Sequence, residues 1–245
     1  MIALILAAGY GTRLYPLAEK TPKALLPVKG KPILDYLMEK ICRPSFGTKE
    51  IVLVSNRKYV GEFEKWAAGQ KFPVPVKILD DGSTSEVNRL GSIGDILFAL
   101  RRHVPFARED TLVLGSDNLL EDDLSGFVSF ARRHTPHVTL GAYELPDPAL
   151  ASRYGVMKTD AQDRILELQE KPAQPVSKLV STAVYFFPSG QLRQVLEYDG
   201  SADTLGSFIR WLVSREPVFA YRVKGSWFDI GDMASYEHAQ KVFTP

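Results

Sequence analysis

The sequence is poor in cysteine and histidine: one Cys, Cys42, and four His in 245 residues. A single cysteine excludes an internal disulfide and every CxxC metal or redox motif. Cys42 follows Leu37, Met38 and Ile41 on the apolar side of a helical pattern and reads as a buried structural thiol. No HExxH occurs, and Pro136 breaks the one close pair, His134 and His137, so a histidine metal site is not expected. No apolar run approaches the roughly 20 residues of a membrane-spanning helix. The opening run from Met1 to Ala8 is apolar but lacks a basic leader and stops at Gly9, which argues against a signal peptide and for a cytoplasmic protein. Excess charge is missing as well: 30 Lys+Arg against 29 Asp+Glu leave a net +1. That balance argues against a long nucleic-acid groove or an anionic membrane surface as the main partner. Small anions are still served by a few cations and helix N-termini.

A hydrophobic fraction of 45% and a charged fraction of 24% are average for a globular domain, and the length suffices for a full α/β core. Residues 2–6, 51–55, 76–79 and 111–114 are short Val/Ile/Leu-rich runs of the kind that form buried parallel strands. Between them residues 33–41, 60–66 and 93–100 carry helical spacing, with Ser92 and Asp95 as a capping pair for the last. Such alternation predicts a doubly wound, mostly parallel sheet that binds ligands at the carboxyl ends of its strands. The second half differs. Residues 138–143, 155–158, 165–168 and 180–187 are strand-like with few helices between them, which predicts a small mixed β extension. Helices are expected at 205–213 and 234–242. Loops at 81–89 and 146–152 are polar and expected to be mobile. One domain, 1–245, is expected, with halves at 1–135 and 136–245. Apolar positions near the termini could serve a homo-oligomer.

The strongest local signal is the first strand and its exit, Leu4-Ile5-Leu6-Ala7-Ala8-Gly9-Tyr10-Gly11-Thr12-Arg13-Leu14. Small residues let backbone N–H groups approach a phosphate chain, and Arg13 can neutralise it in bidentate fashion. A dinucleotide fingerprint would need a third glycine where Leu14 stands. A Walker loop would need Gly-Lys-Ser/Thr. Neither is present.

Pro16-Leu17 and Thr21-Pro22-Lys23-Ala24-Leu25-Leu26-Pro27-Val28 continue the pattern. Residues 6–28 together resemble the signature of the sugar-phosphate nucleotidyltransferases, the group of glucose-1-phosphate thymidylyltransferase and its uridylyl, adenylyl and guanylyl relatives. The resemblance implies a Rossmann-like nucleotidyltransferase fold. It also implies nucleotide-binding roles for Leu6, Ala7, Ala8, Gly9, Gly11, Thr12 and Arg13, with Lys23 at the reacting phosphates. It runs on through Leu90-Gly91-Ser92-Ile93-Gly94, which places Gly91 beneath the base, and through Gly115-Ser116-Asp117-Asn118. A carboxylate ending a buried strand is costly unless it meets a cation, which suits Asp117 to Mg²⁺. Tyr154-Gly155-Val156, Glu170-Lys171-Pro172 and Ser181-Thr182-Ala183 follow in the family's order. They imply sugar-phosphate contacts by Gly155, Glu170, Lys171 and Thr182. Trp227-Phe228-Asp229-Ile230-Gly231 implies that Asp229 shares the Mg²⁺ with Asp117.

The implied reaction joins an NTP to a sugar 1-phosphate and releases pyrophosphate, with Arg13, Lys23 and Asp117 as catalytic residues. Departures exist. Ala18 stands where relatives often have threonine, and residues 80–89 offer Asp80, Asp81, Glu86 and Asn88 but no pyrimidine-reading glutamine. A carboxylate there could accept from an imide N–H of uracil, thymine or guanine. No left-handed β-helix acyltransferase domain is expected after Pro245. Rival readings are a non-catalytic sensing relative, a cytidylyltransferase with an acceptor such as phosphocholine, and a glycosyltransferase, for which Asp117-Asn118-Leu119 is not the expected DxD.

Overall fold

The computed structural model describes residues 1–244, apart from the side chains of Val104 and Ala107. Its first half runs β1 (Ile2–Leu6), a two-residue ladder of β2 (Pro27–Val28) and β3 (Lys31–Pro32), and α1 (Ile33–Ile41). Then come β4 (Glu50–Ser55), α2 (Val60–Ala68), β5 (Val76–Asp80) and α3 (Gly91–Arg102). β6 (Thr111–Gly115), β7 (Asn118–Leu120) and α4 (Ser125–Arg133) complete it. The second half adds β8 (Thr139–Glu144), β9 (Gly155–Thr159), β10 (Ile165–Glu170) and β11 (Leu179–Phe187). It closes with α5 (Leu205–Val213), β12 (Phe219–Arg222), β13 (Trp227–Asp229) and α6 (Met233–Val242).

Strands β5, β4, β1 and β6 lie side by side and parallel, and β11 joins β6 antiparallel to carry the sheet into the second half. Each central strand is apolar on both faces because both are covered. Ala3, Ile5, Leu53 and Leu112 point to a core shared with Leu34 and Leu37 of α1, Phe63 of α2 and Phe127 of α4. Ile2, Leu4, Val52 and Val113 point to a second core with Ile93 and Ile96 of α3 and Phe208 and Leu212 of α5. That is the doubly wound arrangement. Between β4 on one side and β6 on the other, β1 occupies the point where the chain reverses its direction of winding, where such sheets bind ligands.

A third apolar cluster ties the two ends of the chain together. Leu14, Ile33 and Leu119 pack there with Ile230, Ala239 and Phe243. Next to it β7 and β13 form an isolated antiparallel ribbon, pairing Asn118 with Asp229. Helix α6 starts from an Asp232 cap whose carboxylate accepts from Ser235 N at 2.8 Å. Among the described residues no helix is long and apolar enough to cross a membrane. Cys42 is half-buried, and burial pushes its thiol up. His134 and His137 pack with tilted rings beside Phe219, and no group of three metal-ligating side chains occurs among the described residues.

Candidate active site

The carboxyl ends of β1 and β6 open into a cleft of about 870 Å³. The turn after β1 is fixed from several sides. Ser116 N donates to the Leu6 carbonyl (3.2 Å), Asn56 Nδ2 to that of Ala8 (2.8 Å), and the Tyr59 hydroxyl to that of Tyr10 (3.1 Å). Gly11 has φ +61°, and a Cβ there would lie 3.2 Å from that of Ala18, so the turn needs a residue without one. Leu6, Ala8, Gly9, Arg13 and Lys23 line the cleft. Ala7 does not: strand alternation turns it into the core. Gly11 and the exposed Thr12 shape the turn and stand outside the lining.

Four charged groups meet at the mouth of this turn. Lys23 donates to Asp117 Oδ2 in an ion pair, each side chain about 20% exposed. Burial alone would pull the Lys23 ammonium down, but the Asp117 carboxylate outweighs it by charge and hydrogen bond and holds it above its ordinary value. Asp229 reaches the same place through the ribbon, since Ile230 N donates to the Asp117 carbonyl (2.9 Å). Desolvation first, and the Asp117 charge second, push Asp229 up to about 7 against the pull of Lys23 and Arg13. The Arg13 guanidinium lies 3.4 Å from where a Gly231 Cβ would stand. Behind Asp117, Asn118 donates to its Oδ1 (2.9 Å) and accepts from Trp227 Nε1 (2.6 Å). A carboxylate whose proton affinity is raised by the charge of a second carboxylate is suited to meet a cation. Hard oxygen donors few in number suit a divalent ion that keeps further positions for phosphate and water.

Gly155, Glu170 and Lys171 line the other arm of the cleft. The Glu170 carboxylate rests in space left by two glycines: a Cβ on Gly155 would be 3.1 Å from Oε2, and one on Gly206 only 2.0 Å. Gly206 belongs to the first turn of α5, an end that favours negative charge. Desolvation nevertheless raises Glu170, opposed by Lys171 and Arg210. Lys171 is exposed at φ +45°, held by its N–H donating to the Tyr154 carbonyl (3.0 Å). Thr182 departs from expectation. It is fully buried, facing Gly141, whose added Cβ would sit 2.5 Å from its Oγ1. Its neighbours Ser181 and Ala183 line the cleft instead, because a bulge in β11, with Ala183 at φ +54°, directs them there.

A further correction concerns α3. Its N-cap is Leu90 and neither Ser92 nor Asp95 caps it. Asp95 is buried, lines the cleft and faces Asp81; burial and that neighbour push it up to about 8. Gly91, at φ +77°, is crossed closely by a strap: a Cβ there would be 2.5 Å from the Ala202 carbonyl. Ser92 N and Ile93 N donate to the carbonyls of Asp203 (3.1 Å) and Ala202 (3.0 Å), and Arg89 pairs with both Asp203 and Glu86. Residues 81–89 are likewise organised, with a capping box between Ser85 and Asn88. Sequence reasoning also missed Arg153 and Asp232, which line the cleft and pair at 3.9 Å. Only the Asp232-x-x-Ser235 cap was there to be found.

A family model described as "Nucleotidyl transferase" matches residues 2–244. The chain belongs to this nucleotidyl transferase family. A Sulfolobus acidocaldarius protein named as a mannose-1-phosphate guanyltransferase is 33% identical to this nucleotidyl transferase, over 96% of the chain and 60% of the relative. A UTP–glucose-1-phosphate uridylyltransferase of Synechocystis is 32% identical over 98% of the chain and 62% of the relative. The chain thus spans about three fifths of the length of these two relatives. A Bacillus anthracis crystal structure described as a glucose-1-phosphate thymidylyltransferase superposes with a TM-score of 0.84 at 22% identity. It covers 98% of this chain and 94% of its own, and confirms the fold.

Proposed function

We propose that this nucleotidyl transferase transfers a nucleoside monophosphate from an NTP to a sugar 1-phosphate and releases pyrophosphate. The observation that carries the reading is the meeting of Arg13, Lys23, Asp117 and Asp229 at the exit of β1. The sugar-phosphate nucleotidyltransferase signature read from the sequence and the names of the relatives above point the same way. We place the reaction in the cytoplasm, where NTPs are abundant.

The nucleophile, a phosphate oxygen, is already anionic, so the reaction needs position and charge neutralisation instead of a general base. Backbone N–H groups of Ala8 and Gly9 cradle the triphosphate, and Arg13 holds the pyrophosphate as it leaves. Lys23 offsets the charge that gathers on the α-phosphate. Lys171 draws in the acceptor's phosphate while Glu170 accepts from sugar hydroxyls. Asp117 and Asp229 would hold the divalent cation, Mg²⁺ in this proposal. Bound there, it supplies Lewis-acid stabilisation of the phosphate oxygens.

Pyrophosphate release from a matrix of NTPs and sugar 1-phosphates tests the reading. Lys23→Ala and Asp117→Ala are each expected to cut turnover by tens to hundreds of fold, about 2–4 kcal/mol of barrier. Near-wild-type turnover in either variant removes the assigned role. A protein that binds these ligands yet never releases pyrophosphate is a sensor and not an enzyme.

A further inference from the structure

Asp81 follows the last residue of β5 and Asp95 projects from the first half of α3, and the two side chains face each other in the wall of the cleft. They are only 9% and 6% exposed. Asp81 is immobilised. Its N–H donates to the Ser55 carbonyl (2.8 Å), and its Oδ1 accepts from Ser83 N and Ser83 Oγ, each at 2.7 Å. Ser83 Oγ in turn accepts from the Tyr10 hydroxyl at 3.3 Å. Asp95 is the opposite case: its Oδ1 is buried and has no hydrogen-bond partner. Neither carboxyl forms an ion pair among the described residues. Two cations beside this loop are engaged elsewhere, Arg57 with Asp80 and Arg89 with Glu86 and Asp203.

A buried acceptor without a donor is rarely kept unless a ligand supplies one. The charge that acts on Asp95 is that of Asp81, whereas Lys23 and Asp229 respond to Asp117, Arg13 and each other. The cleft therefore holds two separate charge groups, one that attracts phosphate and one that repels it. On the nucleotidyl-transfer reading, on which this inference rests, the second group meets the uncharged end of the NTP. Even with one proton shared between the carboxyls, Asp95 Oδ1 and the free lone pairs of Asp81 remain acceptors. Their complement is a base edge with adjacent N–H donors. Guanine has one, N1–H beside its N2 amino group. Uracil and thymine flank a single N3–H with two carbonyl oxygens, which would confront carboxyl lone pairs. Adenine and cytosine set one amino group beside a ring-nitrogen acceptor.

We propose that Asp81 and Asp95 read the base and select guanine, so that GTP is the nucleotide substrate. Calorimetric binding of GTP, ATP, CTP, UTP and dTTP, each with Mg²⁺, is expected to rank GTP first by tenfold or more. Tighter binding of any other NTP by the wild-type protein overturns the proposal without recourse to a variant. Asp95→Asn keeps the volume but replaces an acceptor by a donor. It is expected to lose tenfold or more in GTP affinity and to narrow the gap to UTP, with its circular dichroism unchanged. An unaltered ranking in that variant also overturns the proposal. The two readings separate cleanly. Pyrophosphate release that favours another base sinks the base assignment alone. Preferred GTP binding with no transfer to any sugar 1-phosphate sinks the transfer reading alone.

Discussion

Asp95 carries its carboxyl where water does not follow, and its proton affinity rises for that reason. Folded, it titrates at about 8, while an unfolded aspartate titrates near 3.8. Between those values the folded chain binds the extra proton, so stability falls as pH rises through that window. Asp95→Asn removes the titration. The variant is expected to lose less thermal stability than wild type between pH 5 and pH 8, by on the order of 3–4 kcal/mol. Parallel melting curves at the two pH values would refute the burial argument. This residue also shows what sequence spacing misreads. Ser92-x-x-Asp95 satisfies a capping pattern, but α3 already begins at Gly91, so Ser92 lies inside its first turn. Asp117 was legible as a carboxylate ending a buried strand, and Lys23 from the signature that residues 6–28 resemble; the two meet in an ion pair. Thr182 was not legible, since a bulge that switches the facing of β11 leaves no trace in composition.

At the scale of elements, the start of α3 depends on a strap contributed by residues 202–203. The first N–H groups of a helix lack partners within it, and here two carbonyls from far along the chain supply them. Gly91 permits that approach. Gly91→Ala suffers both its φ of +77° and the collision with Ala202, whereas Gly30→Ala, at φ +81°, meets nothing within 4 Å. Gly30→Ala should cost about 1–2 kcal/mol from backbone strain alone. Gly91→Ala is expected to cost clearly more in urea unfolding, and equal losses would show that the strap yields freely. Helices α1 and α5 match the ranges read from apolar spacing because each presents a full buried stripe, Ile33 to Ile41 and Leu205 to Leu212. α4 escaped notice: its buried residues are only Phe127, Val128 and Ala131. β7 and β13, three residues each, are held by pairing with one another and have no pattern of their own.

Across the whole molecule, stability comes from two apolar layers on either side of one sheet, to which both halves of the chain contribute. The proposed cation has no share in that. Two carboxylates meet it, one already paired with Lys23, and no larger ligand cluster occurs among the described residues. A chelator is therefore expected to abolish pyrophosphate release while leaving the thermal midpoint unchanged. A midpoint that drops by several degrees would make the ion a structural one. Saturating NTP with Mg²⁺ should instead raise the midpoint, since a ligand at 100 times its Kd stabilises by about 2.7 kcal/mol.

The ribbon that seats Asp229 beside Asp117 has a temporal consequence. The two strands leave the ribosome about a hundred residues apart. The nascent protein can finish its glycine turn, most of its central sheet and the Lys23 contact long beforehand. It acquires the second carboxylate of the proposed cation site only when β13 folds back onto β7, so a chain cut short before Asp229 lacks the complete pair.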